Sequence, residues 1–106
     1  MTTATRILSH DKKLIGFCLT DHANYAQEGN DIVCAAISVL YTTCANAIES
    51  ITGVEAVTLS EGDTNTVLLP TTLTSAQKQQ ADIIMKTILQ GFTDIAEAYP
   101  RNFSLQ

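Results

Sequence analysis

Apolar positions along this chain switch repeatedly between a spacing of two and a spacing of three to four, and the switches divide it into elements. Residues 3 to 9 and 14 to 20 are β-rich runs, the first with Ile7 and Leu8, the second with Leu14, Ile15, Phe17 and Leu19. Asp11-Lys12-Lys13 between them reads as a hairpin turn. From Asp31 to about Ile51 the apolar residues Val33, Ala36, Ile37, Leu40, Cys44, Ala47, Ile48 and Ile51 recur at three and four, which predicts an amphipathic helix. Gly53 is its stop signal, after which Ala56-Val57-Thr58-Leu59 and Thr66-Val67-Leu68-Leu69 flank Glu61-Gly62-Asp63 as a second hairpin. Thr74, followed three residues later by Gln77, has the capping-box pattern ahead of Ile83, Ile84, Ile88, Phe92 and Ile95. A second long helix is expected there, closed by Pro100, with Gly91 as a point of bending. Phe103 and Leu105 alternate with polar residues as a short last strand would.

The resulting order is ββαββα with a final β. Each helix has one apolar stripe and each hairpin one apolar face, so both helices are expected on one face of a mostly antiparallel sheet. The fold class is therefore a two-layer α+β sandwich. A length of 106 residues suits one domain, 1–106, that buries its own core.

Composition narrows the function. With 45% hydrophobic and 16% charged residues the chain is globular, and a net charge of −5 leaves no basic footprint for a phosphate backbone. Direct nucleic-acid binding is not expected on this ground, whereas a basic protein partner is favoured. Met1 to Arg6 lacks the apolar core of a secretory signal, and no stretch reads as apolar far enough to span a bilayer. The expected location is the cytoplasm. There three cysteines, an odd number, are expected to act singly rather than as disulfides.

Chemistry concentrates between Asp21 and Cys34, a polar connection with a histidine at one end and a cysteine at the other. With Asp31 as the N-cap, Cys34 is the third helical residue, where the helix dipole and unpaired amides favour a thiolate. At about 100° per residue, Cys34 lies roughly 120° from Leu40, the centre of the apolar stripe, and so flanks the core. Asp31, Cys34 and Ser38 share an arc of about 60°, whereas Cys44 falls within about 40° of Leu40 and reads as a small buried hydrophobe. Cys18, on the second strand, reads as a packing residue. A cysteine nucleophile needs a base, and His22, on the loop leading to the helix, is the candidate. His10, beside Asp11 in a turn, reads as solvated surface. The spacing offers no Cys-x-x-Cys or His-x-x-x-His for zinc and no glycine-rich phosphate loop, so no cofactor is expected.

His22-Ala23, Gly29, Asp31-Ile32-Val33-Cys34-Ala35-Ala36 and Ser38 together resemble the signature of the ribosomal-processing cysteine protease family, Prp. The resemblance, which extends to length and element order, implies Cys34 as nucleophile, His22 as base, Asp31 and Ser38 as supporting positions, and a homodimer. It also implies a substrate, the N-terminal extension of large-subunit ribosomal protein number twenty-seven, removed during bacterial ribosome assembly. A basic ribosomal protein suits an acidic enzyme. One position departs from the pattern: Asp21 stands where the family has glycine, placing a charge beside His22 and a less permissive residue at the hinge. The loop from Ala23 to Asn30 is expected to act as a lid, mobile until substrate binds, and Tyr25 either stacks on substrate or packs the loop. The rival reading from another class is a non-catalytic module that binds a basic ribosomal protein or ribosome precursor.

Overall fold

A computed structural model describes residues 1–21 and 30–106. The elements are β1 (Thr2–Leu8), β2 (Leu14–Asp21), α1 (Asn30–Thr52), β3 (Val57–Glu61), β4 (Thr64–Leu68), α2 (Ser75–Ala98) and β5 (Phe103–Leu105). They form the expected two-layer α+β fold, in which one sheet of order β3-β4-β2-β1-β5 is antiparallel except for the β1–β5 pair. His22, Tyr25 and the lid expected from Ala23 lie outside the described residues, and Asn30, expected as the loop's last residue, opens α1.

Register decides which residues face the helices. Ala4 pairs with Leu19 and Leu105, and Phe17 with Val67, so these core residues share one side of the sheet. The other side alternates through Thr5, Cys18, Thr66 and Leu59 and is not covered by either helix. Val33, Ile37, Cys44 and Ile48 of α1 and Ala81, Ile84, Met85, Ile88 and Phe92 of α2 fill the space above the covered side. An edge-on contact between Phe17 and Phe92, ring centroids 5.0 Å apart, continues to Phe103 at 5.8 Å and ties α2 to the sheet. Tyr41 ties α1 to it, its hydroxyl donating to the Thr66 carbonyl at 3.0 Å.

The helix ends are held by side chains. Thr74 caps α2 in a full capping box with Gln77, whose amide nitrogen also donates to the Thr52 carbonyl at the end of α1, 2.9 Å away. One side chain thus satisfies groups at the end of one helix and the start of the next. Gly53 follows α1 at φ 82°, in the left-handed region, and its amide closes on Glu49 at 2.8 Å, the helix stop read from the sequence. Gly91 lies inside α2, which runs from Ser75 to Ala98 as one helix. A Cβ on Gly91 would stand 2.8 Å from Leu40 Cδ2, so glycine there lets the two helices approach closely.

One expectation about apolar length is corrected. The segment Asp31–Thr52 is long and apolar enough to cross a membrane by length and composition. Here, however, it supplies Val33, Ile37, Cys44 and Ile48 to a core shared with the sheet and α2, which explains its apolar content.

Candidate active site

The three cysteines of the chain, all unpaired, occupy three different environments. Cys44 is fully buried on α1 with its sulfur 3.8 Å from Met85 Sδ, and desolvation pushes its thiol pKa up to about 12. It is the inert core thiol that the helical stripe predicted. Cys18 is half-buried on the side of the sheet away from the helices, opposite Thr5 and Thr66, rather than packed in the core. Cys34 is half-buried on the covered side, at the edge of the helix layer.

Around Cys34 lies a cavity of about 120 Å³ lined by Thr2, Leu19, Asp21, Cys34, Ile37, Ser38, Asp63 and Asn65. Its walls come from α1 on one side and from β1, β2, β4 and the β3–β4 turn on the other. Cys34, Ile37 and Ser38 stand one helical turn apart and point into the same space, as the helical spacing requires. Thr2 and Asn65 occupy core-facing positions of their strands, paired beside Asp21 and Leu19 respectively. The sheet is therefore polar where it meets Cys34 and apolar further along, at Ala4, Phe17 and Val67.

Asp21 closes this end of the sheet. Its carboxylate accepts from the Thr2 hydroxyl at 3.2 Å, and its amide donates to the Asp63 carbonyl at 3.2 Å. The turn between β3 and β4 is thereby fastened to the last residue of β2. His22 is the next residue in the chain. Among the described residues, no group of three His, Cys, Asp or Glu side chains could hold a metal ion.

Ser38 joins Cys34 as the sequence implied, but Asp31 does not. Helix α1 begins at Asn30, so Asp31 is an exposed residue of the first turn rather than the cap, outside the cavity lining. Cys34 therefore lies deeper in the helix than the third position. Its own amide falls in the i to i−4 ladder rather than among the amides of the helix end. A carboxylate at Asp31 still complements the positive end of the helix. The cavity residues that sequence reading passed over are Thr2, Asp63 and Asn65. Their signal was weak: Asn65 breaks the apolar face continued by Val67, and Asp63 sits at a turn where polar residues are expected for other reasons.

Comparison with known proteins shows the family and the fold. The model of the family described as Cysteine protease Prp matches residues 1–104. The Bacillus subtilis (strain 168) protein named Ribosomal processing cysteine protease Prp is 30% identical over 105 residues, which are 96% of this chain and 93% of that protein. The fold matches the Streptococcus mutans protein SMU.848 with a TM-score of 0.82 at 28% identity, covering 100% of this chain and 92% of that one. It matches the essential ribosomal processing protease Prp of S. aureus, solved in complex with a substrate peptide, with a TM-score of 0.82 at 23% identity, covering 100% and 98%. With the family model spanning nearly the whole chain and a thiol set into a cavity at the helix edge, this chain belongs to the cysteine protease Prp family and is a cysteine protease.

Proposed function

We propose that this protease removes the N-terminal extension of a large-subunit ribosomal protein, number twenty-seven of that subunit, using Cys34 as nucleophile and His22 as base. The observation that carries the reading is the placement of Cys34: of three thiols, it alone lines the cavity between α1 and the sheet end. His22 directly follows Asp21, a residue of the same cavity. The net charge of −5 favours a basic ribosomal protein as substrate.

In the proposed reaction, the Cys34 thiolate attacks the scissile carbonyl carbon, and the carbonyl oxygen takes the negative charge. The C–N bond then breaks as His22 gives its proton to the leaving amine, leaving a thioester on Cys34. Water, deprotonated by His22, attacks the thioester, the C–S bond breaks, and the new carboxylate and the thiol are released. Ser38, one turn along the helix, lines the same space and can hydrogen-bond the bound peptide.

The reading includes a homodimer in the cytoplasm. From Ile32 to Ile48 no charged side chain occurs, and Ile32 and Val39 are 62% and 63% exposed. A two-fold contact through this helix face would bring no like charges together despite the acidic chain, and unpaired thiols suit a reducing compartment.

The test is to incubate the protein with the extended ribosomal protein and sequence any new N-terminus. Wild type is expected to produce one, and Cys34→Ala and His22→Ala to produce none while keeping the wild-type circular dichroism. Normal turnover by either variant would remove that residue from the mechanism. Val39→Lys, followed by light scattering, is expected to give monomers, and an unchanged mass would exclude this helix face from the contact.

A further inference from the structure

We infer that Asn65 donates a side-chain N–H to the carbonyl oxygen of the scissile bond, stabilising the negative charge that forms there when the Cys34 thiolate attacks. This rests on the protease reading of Cys34 and adds a catalytic residue to it, on a strand far from the helix in sequence. The amide of Cys34 is bonded within the ladder of α1, so the charge is met from elsewhere in the cavity. Among the described residues of the lining, Asn65 has the one side chain with N–H donors; the others present hydroxyls, carboxylates, a thiol or alkyl groups.

Asn65 stands on the core-facing side of β4, paired with Leu19 of β2 and Ser60 of β3, two residues before the buried Val67. An apolar side chain would pack there as Val67 does, yet the position holds a half-buried amide. The Ser60 hydroxyl donates to Asn65 Oδ1 at 2.8 Å. An amide has one acceptor end and one donor end, and the bond to Oδ1 settles which is which, leaving Nδ2 to meet a carbonyl oxygen. Attack requires the carbonyl carbon about 3–3.5 Å from the sulfur, between α1 and the sheet wall that carries Asn65. Ser38 shares the helix face of the sulfur and so lies on the attacking side. As the C–S bond forms, the π electrons of the carbonyl move to its oxygen, which accepts from Nδ2; as the C–N bond breaks, the carbonyl re-forms. The Asn65 protons stay on nitrogen throughout.

Removing one oxyanion donor costs about 10²–10³ in kcat, and the half-buried setting of Asn65 puts it near the lower figure. On the extended ribosomal protein, Asn65→Ala is expected to lower kcat about a hundred-fold with KM within about three-fold, because the bond strengthens only as charge develops. Ser60→Ala, at an exposed position, should lower kcat about five-fold through loss of the orienting hydrogen bond. A second measurement separates this role from damage to the fold or the thiol, and does not depend on the ribosomal substrate. In a Cys18→Ser background, Cys34 is acylated by 4-nitrophenyl acetate: the C–S bond forms, the carbonyl oxygen carries the charge, and 4-nitrophenolate leaves. The same thiol is alkylated by iodoacetamide, in which a C–S bond replaces the C–I bond and no oxyanion arises. Adding Cys34→Ala gives the background for both. Asn65→Ala should slow acylation by about ten-fold or more and leave alkylation within about two-fold. Unchanged acylation, equal slowing of both reactions, or a kcat within about three-fold of wild type would overturn the inference. Selective slowing of acylation, in a protein whose wild type leaves the ribosomal protein uncut, would sink the substrate reading and leave the role of Asn65 standing.

Discussion

Alkylation of the native protein with iodoacetamide, quenched at intervals and mapped by mass spectrometry, should separate the three cysteines by environment. Cys44 has no exposed surface, and burial pushes its pKa from 9.0 to about 12. Three pKa units reduce the reactive thiolate about a thousand-fold. Reagent must in addition wait for an opening of the core, which in a domain stable by about 5 kcal/mol is populated at roughly one part in several thousand. In the opened state the thiol pKa returns to normal, so reaction through opening sets the rate and predicts labelling roughly several thousand-fold slower than for an exposed thiol. Cys34 and Cys18 are half-buried and react without opening. Bound substrate peptide should then protect Cys34 and leave Cys18 unchanged, because they lie on opposite sides of the sheet. Labelling of Cys44 within ten-fold of Cys18 in the native protein would refute the burial argument. Peptide protection of Cys18 instead of Cys34 would refute the placement of the site.

Phe92→Ala removes the ring between Phe17 and Phe103 and is expected to cost about 3–5 kcal/mol, read as a loss in the urea unfolding midpoint; a change below about 1 kcal/mol would mean the aromatic row is not the core's centre. Gln77→Ala breaks the capping box and leaves the Thr52 carbonyl without its amide donor, so a loss of about 1–2 kcal/mol is expected, whereas Gln80→Ala, at an exposed position of the same helix, should change little. High pH should destabilise the fold through Cys44: the unfolded thiol ionises above about 9 and the folded one only near 12, so the unfolded state binds fewer protons and stability falls across that window. Cys44→Ala should lessen this fall in urea titrations at several pH values, although burial of Tyr41, which raises its pKa too, leaves a residual slope.

Legibility in the sequence followed the range of the forces involved. Periods of two and of three to four are local consequences of a buried face, and they located all seven elements, including the last strand at Phe103. Boundaries were less legible where polar residues belong to strands. Thr64 and Asn65 extend β4 because they pair with Thr20 and Leu19 in β2 and with Glu61 and Ser60 in β3, a long-range ladder with no local apolar signal. The cap of α1 was misplaced for a different reason: Asp31 is a good capping type, yet Asn30 is already helical, and residue type alone does not fix where a helix starts. Within the site, the helical face of Cys34 and Ser38 was legible, because helix geometry fixes it. The contributions of Thr2 and Asp63 were not, since a strand far back in the chain and a hairpin turn far ahead meet there only through tertiary pairing.

Cys34 and Cys44 lie on one helix and differ by ten positions, about 80° around its axis. That rotation carries the thiol from contact with Met85 in the dry core to a cavity whose opposite wall is Thr2, Asp21 and Asn65. The polar wall costs the fold little because the cavity leaves these side chains partners such as the Thr2–Asp21 hydrogen bond. An apolar residue at position 65 would extend the packed surface of Val67 toward Ile37 and fill the space that a peptide needs. The interior of the helix layer and its edge thus follow different requirements: close packing around Cys44 fixes the helix, and the polar gap beside Cys34 leaves room for a backbone to approach the sulfur. Rigid support on one side of a thiol and open, hydrogen-bonding surface on the other is the arrangement that acyl transfer to a cysteine requires, and of the three cysteines Cys34 has it.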